Sequence, residues 1–220
     1  MKRIGILGGT FNPVHIGHLT IAQMVCQQVG LDRVVFIPSY LPPHKSGKNV
    51  ISARDRYHML RLAVKGNPKF RTNDFEIKKG GRSYSVETVK YLRKEYPRGT
   101  KFFFIIGSDL LPRLYTWKDI HELKKMVTFL SVSRPGFRRK KSKIRVRSIT
   151  VPGLHTSSTF ARQRLLAGKT VKYLVPENVL RYIQKKKLYR KRQLRKGSHV
   201  INGSNRYQVW NRRMAGGYFR

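Results

Sequence analysis

Short apolar runs alternate with segments of helical periodicity along most of this chain. Lys2 to Leu7, Arg33 to Ile37, Phe70 to Ile77, Lys101 to Ile106, Met126 to Ser131 and Ile144 to Val151 read as strands, several of them stopped by Gly or Pro. Between them, Gly17 to Val29 carries Ile21, Ala22, Val25, Cys26 and Val29 on one helical face. Ser52-Ala53-Arg54-Asp55 supplies a cap and a first-turn acid for a helix with the stripe Tyr57, Leu60 and Val64. Tyr84 to Tyr96, Ser158 to Leu166 and Pro176 to Lys187 read as further helices. This alternation predicts an α/β fold: a doubly wound parallel sheet with helices on both faces. In such sheets ligands bind beyond the carboxyl ends of the strands. The two most unusual local sequences follow the first and fourth strands.

A chain of 220 residues can bury a sizeable core. The pattern predicts a single domain over 1–188 and a basic tail over 189–220. That tail is rich in Gly, Asn and Arg, has scattered aromatics, and follows the last acid, Glu177. A single cysteine, Cys26, excludes an internal disulfide framework and a multi-cysteine zinc site. No apolar run is long enough for a membrane span, so no membrane partner is expected. The apolar stretch after Met1-Lys2-Arg3 ends at Gly8-Gly9, too soon for a secretory signal, and the default location is cytoplasmic. The sequence leaves homo-oligomerisation open.

Five segments carry candidate chemistry. In Gly8-Gly9-Thr10-Phe11-Asn12-Pro13-Val14-His15-Ile16-Gly17-His18 a strand runs into a glycine turn and then a helix start. Glycines admit a phosphate close to the backbone, helix N–H groups face it, and His15 and His18 can stabilise charge from the first turn. In Thr156-Ser157-Ser158-Thr159-Phe160-Ala161-Arg162, Ser158 stands at the expected N-cap, with Arg162 one turn on. Hydroxyl, helix N–H groups and guanidinium make an anion site, although plain capping would use the same residues. Gly107-Ser108-Asp109 ends an apolar strand, and Asp109 either receives a ribose or caps the next helix. Ser83-Tyr84-Ser85-Val86-Glu87-Thr88 opens a helix, and Trp117 is either a ring platform or half-buried packing. Pro42-Pro43-His44-Lys45 is a stiff loop whose Lys45 suits an incoming phosphate. Gly168-Lys169-Thr170 is not a P-loop, because position 163 is Gln and the segment lies in a helical pattern.

The first two segments resemble the paired signatures of the His-x-Gly-His nucleotidyltransferase superfamily, in the version found in bacterial nicotinate mononucleotide adenylyltransferases. The resemblance runs from residue 5 to about 189. It departs at Thr156 and Ala161, where the family usually has branched aliphatic residues. It implies a Rossmann-like fold and adenylyl transfer from ATP to nicotinate mononucleotide, giving deamido-NAD and pyrophosphate without a covalent intermediate. His15, His18, Lys45 and Arg162 would then balance phosphate charge. Gly8, Gly9, Thr10, Phe11, Gly107, Asp109, Ser157, Ser158 and Arg134 (of Arg134-Pro135-Gly136, another family match) would form the ATP site. Ser83, Tyr84, Ser85, Thr88 and Trp117 would hold the nicotinate moiety. Mg2+ would ride on the ATP phosphates and water. Nicotinamide mononucleotide is the rival acceptor.

Charge adds a second theme. Lys and Arg number 48 against 10 Asp and Glu, a formal net charge of +38. Residues 138–147 alone hold seven basic side chains. Such a surface attracts polyanions in a salt-dependent way. Nucleic-acid contact through this run and the tail, or an RNA- or ribosome-associated role on the same fold, stands beside the enzymatic reading. A solvated loop and a charge-guarded edge strand is the plainer account of the run.

Overall fold

A computed structural model describes residues 1–41, 50–133, 141–151 and 156–190. The six strands are β1 (Arg3–Gly9), β2 (Arg33–Pro38), β3 (Phe70–Thr72), β4 (Lys101–Gly107), β5 (Val127–Ser133) and β6 (Arg147–Thr150). They form one all-parallel sheet in the order β3-β2-β1-β4-β5-β6. The chain order therefore reverses between β1 and β4, where open α/β sheets place their ligands. The helices are α1 (Ile16–Val29), α2 (Ala53–Val64), α3 (Phe75–Lys79), α4 (Ser85–Glu95), α5 (Ile120–Met126), α6 (Ser158–Leu166) and α7 (Glu177–Lys185), with a 3₁₀ helix over Ser108–Thr116.

Strand residues alternate between two cores, as burial on both faces requires. Leu7, Val34, Phe36, Phe103, Ile105, Leu130 and Val132 join a core with α1, α2, α6 and α7. Ile4, Ile6, Val35, Ile37, Phe102, Phe104, Ile106 and Phe129 join a second core with α4, the 3₁₀ helix and α5. Thus every second side chain of a strand faces the same helical layer.

Two expectations are corrected. The third strand ends at Thr72, because Asn73 and Asp74 turn the chain and the Asn73 side chain accepts from the Phe75 N–H at 2.8 Å. Phe75 to Lys79 is then helical, with the Phe75 ring stacked on Tyr91 at 4.2 Å. Tyr189, assigned to the tail by its sequence, is buried in the first core with Leu188, and its hydroxyl donates to Asn12 Oδ1 at 2.8 Å.

Candidate active site

A cavity of about 580 Å³ opens where the carboxyl ends of β1 and β4 part. Gly8, Gly9, Thr10, His15 and His18 line one side, with Thr156 and Ser157. Gly107, Ser108, Asp109, Trp117, Ser83 and Ser85 line the other. Eleven sequence-selected residues thus meet in one space, drawn from segments spread over 150 positions.

The turn after β1 is held by the histidines themselves. His15 is the N-cap of α1 and His18 lies one turn on, their rings 3.7 Å apart between centroids. The His15 backbone N–H donates to His18 Nδ1 at 3.2 Å. A neutral His18 that accepts at Nδ1 carries its proton on Nε2, so the ring keeps one donor. Gly17 permits this close arrangement: a Cβ there would stand 2.9 Å from Thr156 Cγ2 and 3.1 Å from His15 Nδ1. Phe11 is not on the cavity wall. It holds a left-handed backbone (φ 48°), is fully buried, and meets the His18 ring edge-on at 5.0 Å.

The second signature supports the turn from behind. Ser157, not Ser158, is the N-cap of α6, and its hydroxyl accepts from the Phe160 N–H at 3.1 Å. That frees Ser158 to donate to the Pro13 carbonyl at 2.8 Å. Arg162 Nη1 donates to the Asn12 carbonyl at 2.7 Å and Nη2 to Thr159 Oγ1 at 3.2 Å. Burial pushes its guanidinium below the usual arginine value, with the Tyr189 hydroxyl opposing weakly. Ser158 and Arg162 therefore reach the glycine turn through its carbonyls rather than as cavity wall.

Arg56 has no counterpart in the sequence reading. It is 1% exposed and donates to the carbonyls of Thr10 at 2.8 Å, Ser39 at 2.6 Å, Tyr40 at 3.1 Å and Ile51 at 3.3 Å. Burial lowers its pKa, but a guanidinium remains charged. One buried cation thus ties the glycine turn to the end of β2. A charged residue on a helix ordinarily reads as solvent-facing, so nothing local announced it.

The opposite wall is built around Glu76, also missed. It is 8% exposed and lines the cavity. Desolvation raises its pKa, outweighing hydroxyl bonds from Thr88 and Ser83 and the pull of Lys79. The Thr88 hydroxyl lies 2.6 Å away. Thr88 is therefore buried behind the wall, fixing α4 to α3. Ser83 Oγ accepts from the Tyr40 N–H at 2.9 Å, and Ser85 begins α4 at the cavity. Tyr84 is the N-cap of α4, its ring under Lys118 Nζ at 4.4 Å rather than on the wall. Trp117 is both things its sequence allowed: half-buried against Phe104 (5.7 Å) and Phe129 (6.3 Å), with a face on the cavity. Asp109 lies inside the 3₁₀ helix, not at its cap; its carboxylate folds back so far that a Cβ on Gly107 would collide with it.

Lys45 and Arg134 lie outside the described residues. Among the described residues no cluster of three His, Cys, Asp or Glu could hold a metal ion, and no helix is long and apolar enough to cross a membrane.

Residues 6–164 match the family model described as cytidylyltransferase-like. The chain is 46% identical over 188 residues to a probable nicotinate-nucleotide adenylyltransferase of Lactiplantibacillus plantarum, covering 86% of this chain and 88% of that one. A relative of the same description from Halalkalibacterium halodurans is 42% identical over 207 residues, covering 93% and 100%. Among solved structures, nicotinic acid mononucleotide adenylyltransferase of Plasmodium falciparum complexed with NaAD superposes with a TM-score of 0.71 at 21% identity, covering 86% of this chain and 98% of that one. At that identity the likeness speaks for the fold.

Proposed function

The chain belongs to the nicotinate-nucleotide adenylyltransferase family, and from that premise we propose that it joins ATP and nicotinate mononucleotide into deamido-NAD and pyrophosphate. One observation carries the reading: Ser158 and Arg162 bond the carbonyls of Pro13 and Asn12, in the turn that leads to the stacked His15 and His18. Cationic and donor groups from both ends of the chain thus converge at the ligand end of the sheet.

The acceptor 5′-phosphate oxygen attacks the α-phosphorus of ATP. The bond from that phosphorus to the bridging oxygen breaks, and pyrophosphate leaves with the electron pair. No protein nucleophile is needed, so the residues act by positioning and by neutralising charge. His18 offers its Nε2–H, and His15 stands beside it. Arg162 supplies fixed charge at the turn, and Lys45 and Arg134 are the expected further cations. Gly8, Gly9 and Thr10 receive the nucleotide, with Phe11 backing His18 and Ser157 and Ser158 at the α6 start. Gly107 and Asp109 face the adenosine. Ser85 and Trp117 take the nicotinate ring, with Ser83, Tyr84 and Thr88 shaping the α4 start. Magnesium enters as the ion of the MgATP substrate, held by phosphate oxygens and water. We place the enzyme in the cytoplasm.

Purified protein is incubated with MgATP and either nicotinate or nicotinamide mononucleotide, and dinucleotide and pyrophosphate are measured. Deamido-NAD should form, with at least about tenfold preference for the nicotinate acceptor in kcat/KM. Absence of any dinucleotide from either acceptor refutes the reading.

A further inference from the structure

We propose that residues 141–147 form a binding track for single-stranded nucleic acid, separate from the nucleotide cavity. Lys141, Lys143, Arg145 and Arg147 are exposed, and the intervening Ser142, Ile144 and Val146 are partly buried. Ile144 and Val146 pack against the second core, which anchors the segment and turns the four cations outward together. Lys143 Nζ lies 4.8 Å above the ring of Tyr115, and that ring is 46% exposed. An aromatic face bordered by a row of cations is the combination that stacks bases while tracking a backbone.

Edge protection does not account for the row. Only Arg147 belongs to β6, so Lys141, Lys143 and Arg145 have no strand edge to guard. Local neutralisation does not account for it either. None of the ion pairs among the described residues includes these cations. In the sequence, Glu177 is the only acid after Glu122. None of the four cations, nor Tyr115, lines the cavity. The segment bends at Lys143–Ile144 before entering β6, so the four cations follow one another within a single short stretch of surface beside the Tyr115 ring. Cations alone would also adsorb to an anionic bilayer; the exposed Tyr115 ring beside Lys143 offers a stacking face for a base and favours a nucleic-acid strand.

The test uses the full chain and a fluorescein-labelled single-stranded RNA of mixed sequence, about 20 nucleotides long, titrated by anisotropy at several KCl concentrations. One variant combines K141Q, K143Q, R145Q and R147Q. A control of equal charge change combines R61Q, K65Q, K94Q and R98Q, all exposed and elsewhere. The track variant should bind at least about tenfold more weakly, and its log–log salt dependence should be shallower by about 2–3, as losing four phosphate contacts requires. The control should change affinity less than about threefold, and Tyr115→Ala should weaken binding about fivefold. Adenylyl transfer should stay unchanged in the track variant, which shows it folded and separates this outcome from the fate of the catalytic reading. Equal losses in the two charge variants would reduce the effect to net charge and overturn the proposal. So would undiminished RNA binding by the track variant, or binding of phosphatidylglycerol vesicles at concentrations where RNA is not bound.

Discussion

The two walls of the cavity handle charge in opposite ways. Behind the glycine-turn wall, Arg56 and Arg162 donate to backbone carbonyls and to a hydroxyl, and no carboxylate meets either one in those bonds. Carbonyl dipoles satisfy the donors and leave the formal charge on each guanidinium. Behind the opposite wall, Glu87 is bracketed by Lys79 at 2.9 Å and Lys118 at 3.0 Å, which hold its carboxyl below the usual range against its own partial burial. Charge there is spent internally, and shape is left to Trp117, Ser85 and the hydroxyls around Glu76. On the proposed function, the first side would serve the triphosphate being cleaved and the second the ring of the acceptor.

That contrast can be broken from either side. His18→Ala should lower kcat/KM for deamido-NAD formation on the order of 10²- to 10³-fold, the scale of losing one preorganised donor to developing charge. A loss near twofold would remove His18 from catalysis. Arg56→Met should destabilise the fold by on the order of 3 kcal/mol in urea unfolding, since several buried carbonyls lose a charged donor together. An unchanged midpoint would show those carbonyls finding other partners. Trp117→Ala should raise the KM for nicotinate mononucleotide about tenfold while moving the KM for ATP less than about twofold. Equal effects on both substrates would erase the distinction between the walls.

The smallest effect tests Glu76. Its folded pKa is raised by burial, so as pH rises the unfolded chain sheds this proton first. Ionisation then subtracts stability, beginning above the ordinary carboxylate value and reaching its full cost above the folded one. Glu76→Gln should raise Tm by about 1–3 °C at pH 7 and leave it unchanged near pH 4. A gain that persists on acidification would place its origin elsewhere.

The four central strands were legible because they are apolar on both faces and several are bounded by Gly or Pro, a signal that survives any tertiary arrangement. Gly8–His18 and Ser157–Arg162 were legible because unusual residues sit at fixed spacing in a strand-turn-helix context. What stayed hidden lacked periodicity or looked ordinary. The helix α3 is five residues long and follows a two-residue turn. The 3₁₀ helix carries Pro112, and the N-cap of α5, Asp119, is in a left-handed conformation (φ 49°). Arg56 and Glu76 are charged residues in polar stretches, and only the packed fold shows them facing inward. The one-residue shift of the α6 cap to Ser157 redirected Ser158 from capping to bracing the turn.

The bond from Tyr189 to Asn12 has a temporal meaning. Asn12 is made near the beginning of synthesis and its hydroxyl partner 177 positions later. The turn after β1 therefore cannot gain its bonds from Arg162 and Tyr189 until nearly the whole domain has been synthesised. The first turn of the fold is thus braced by the last residues of the domain to be made.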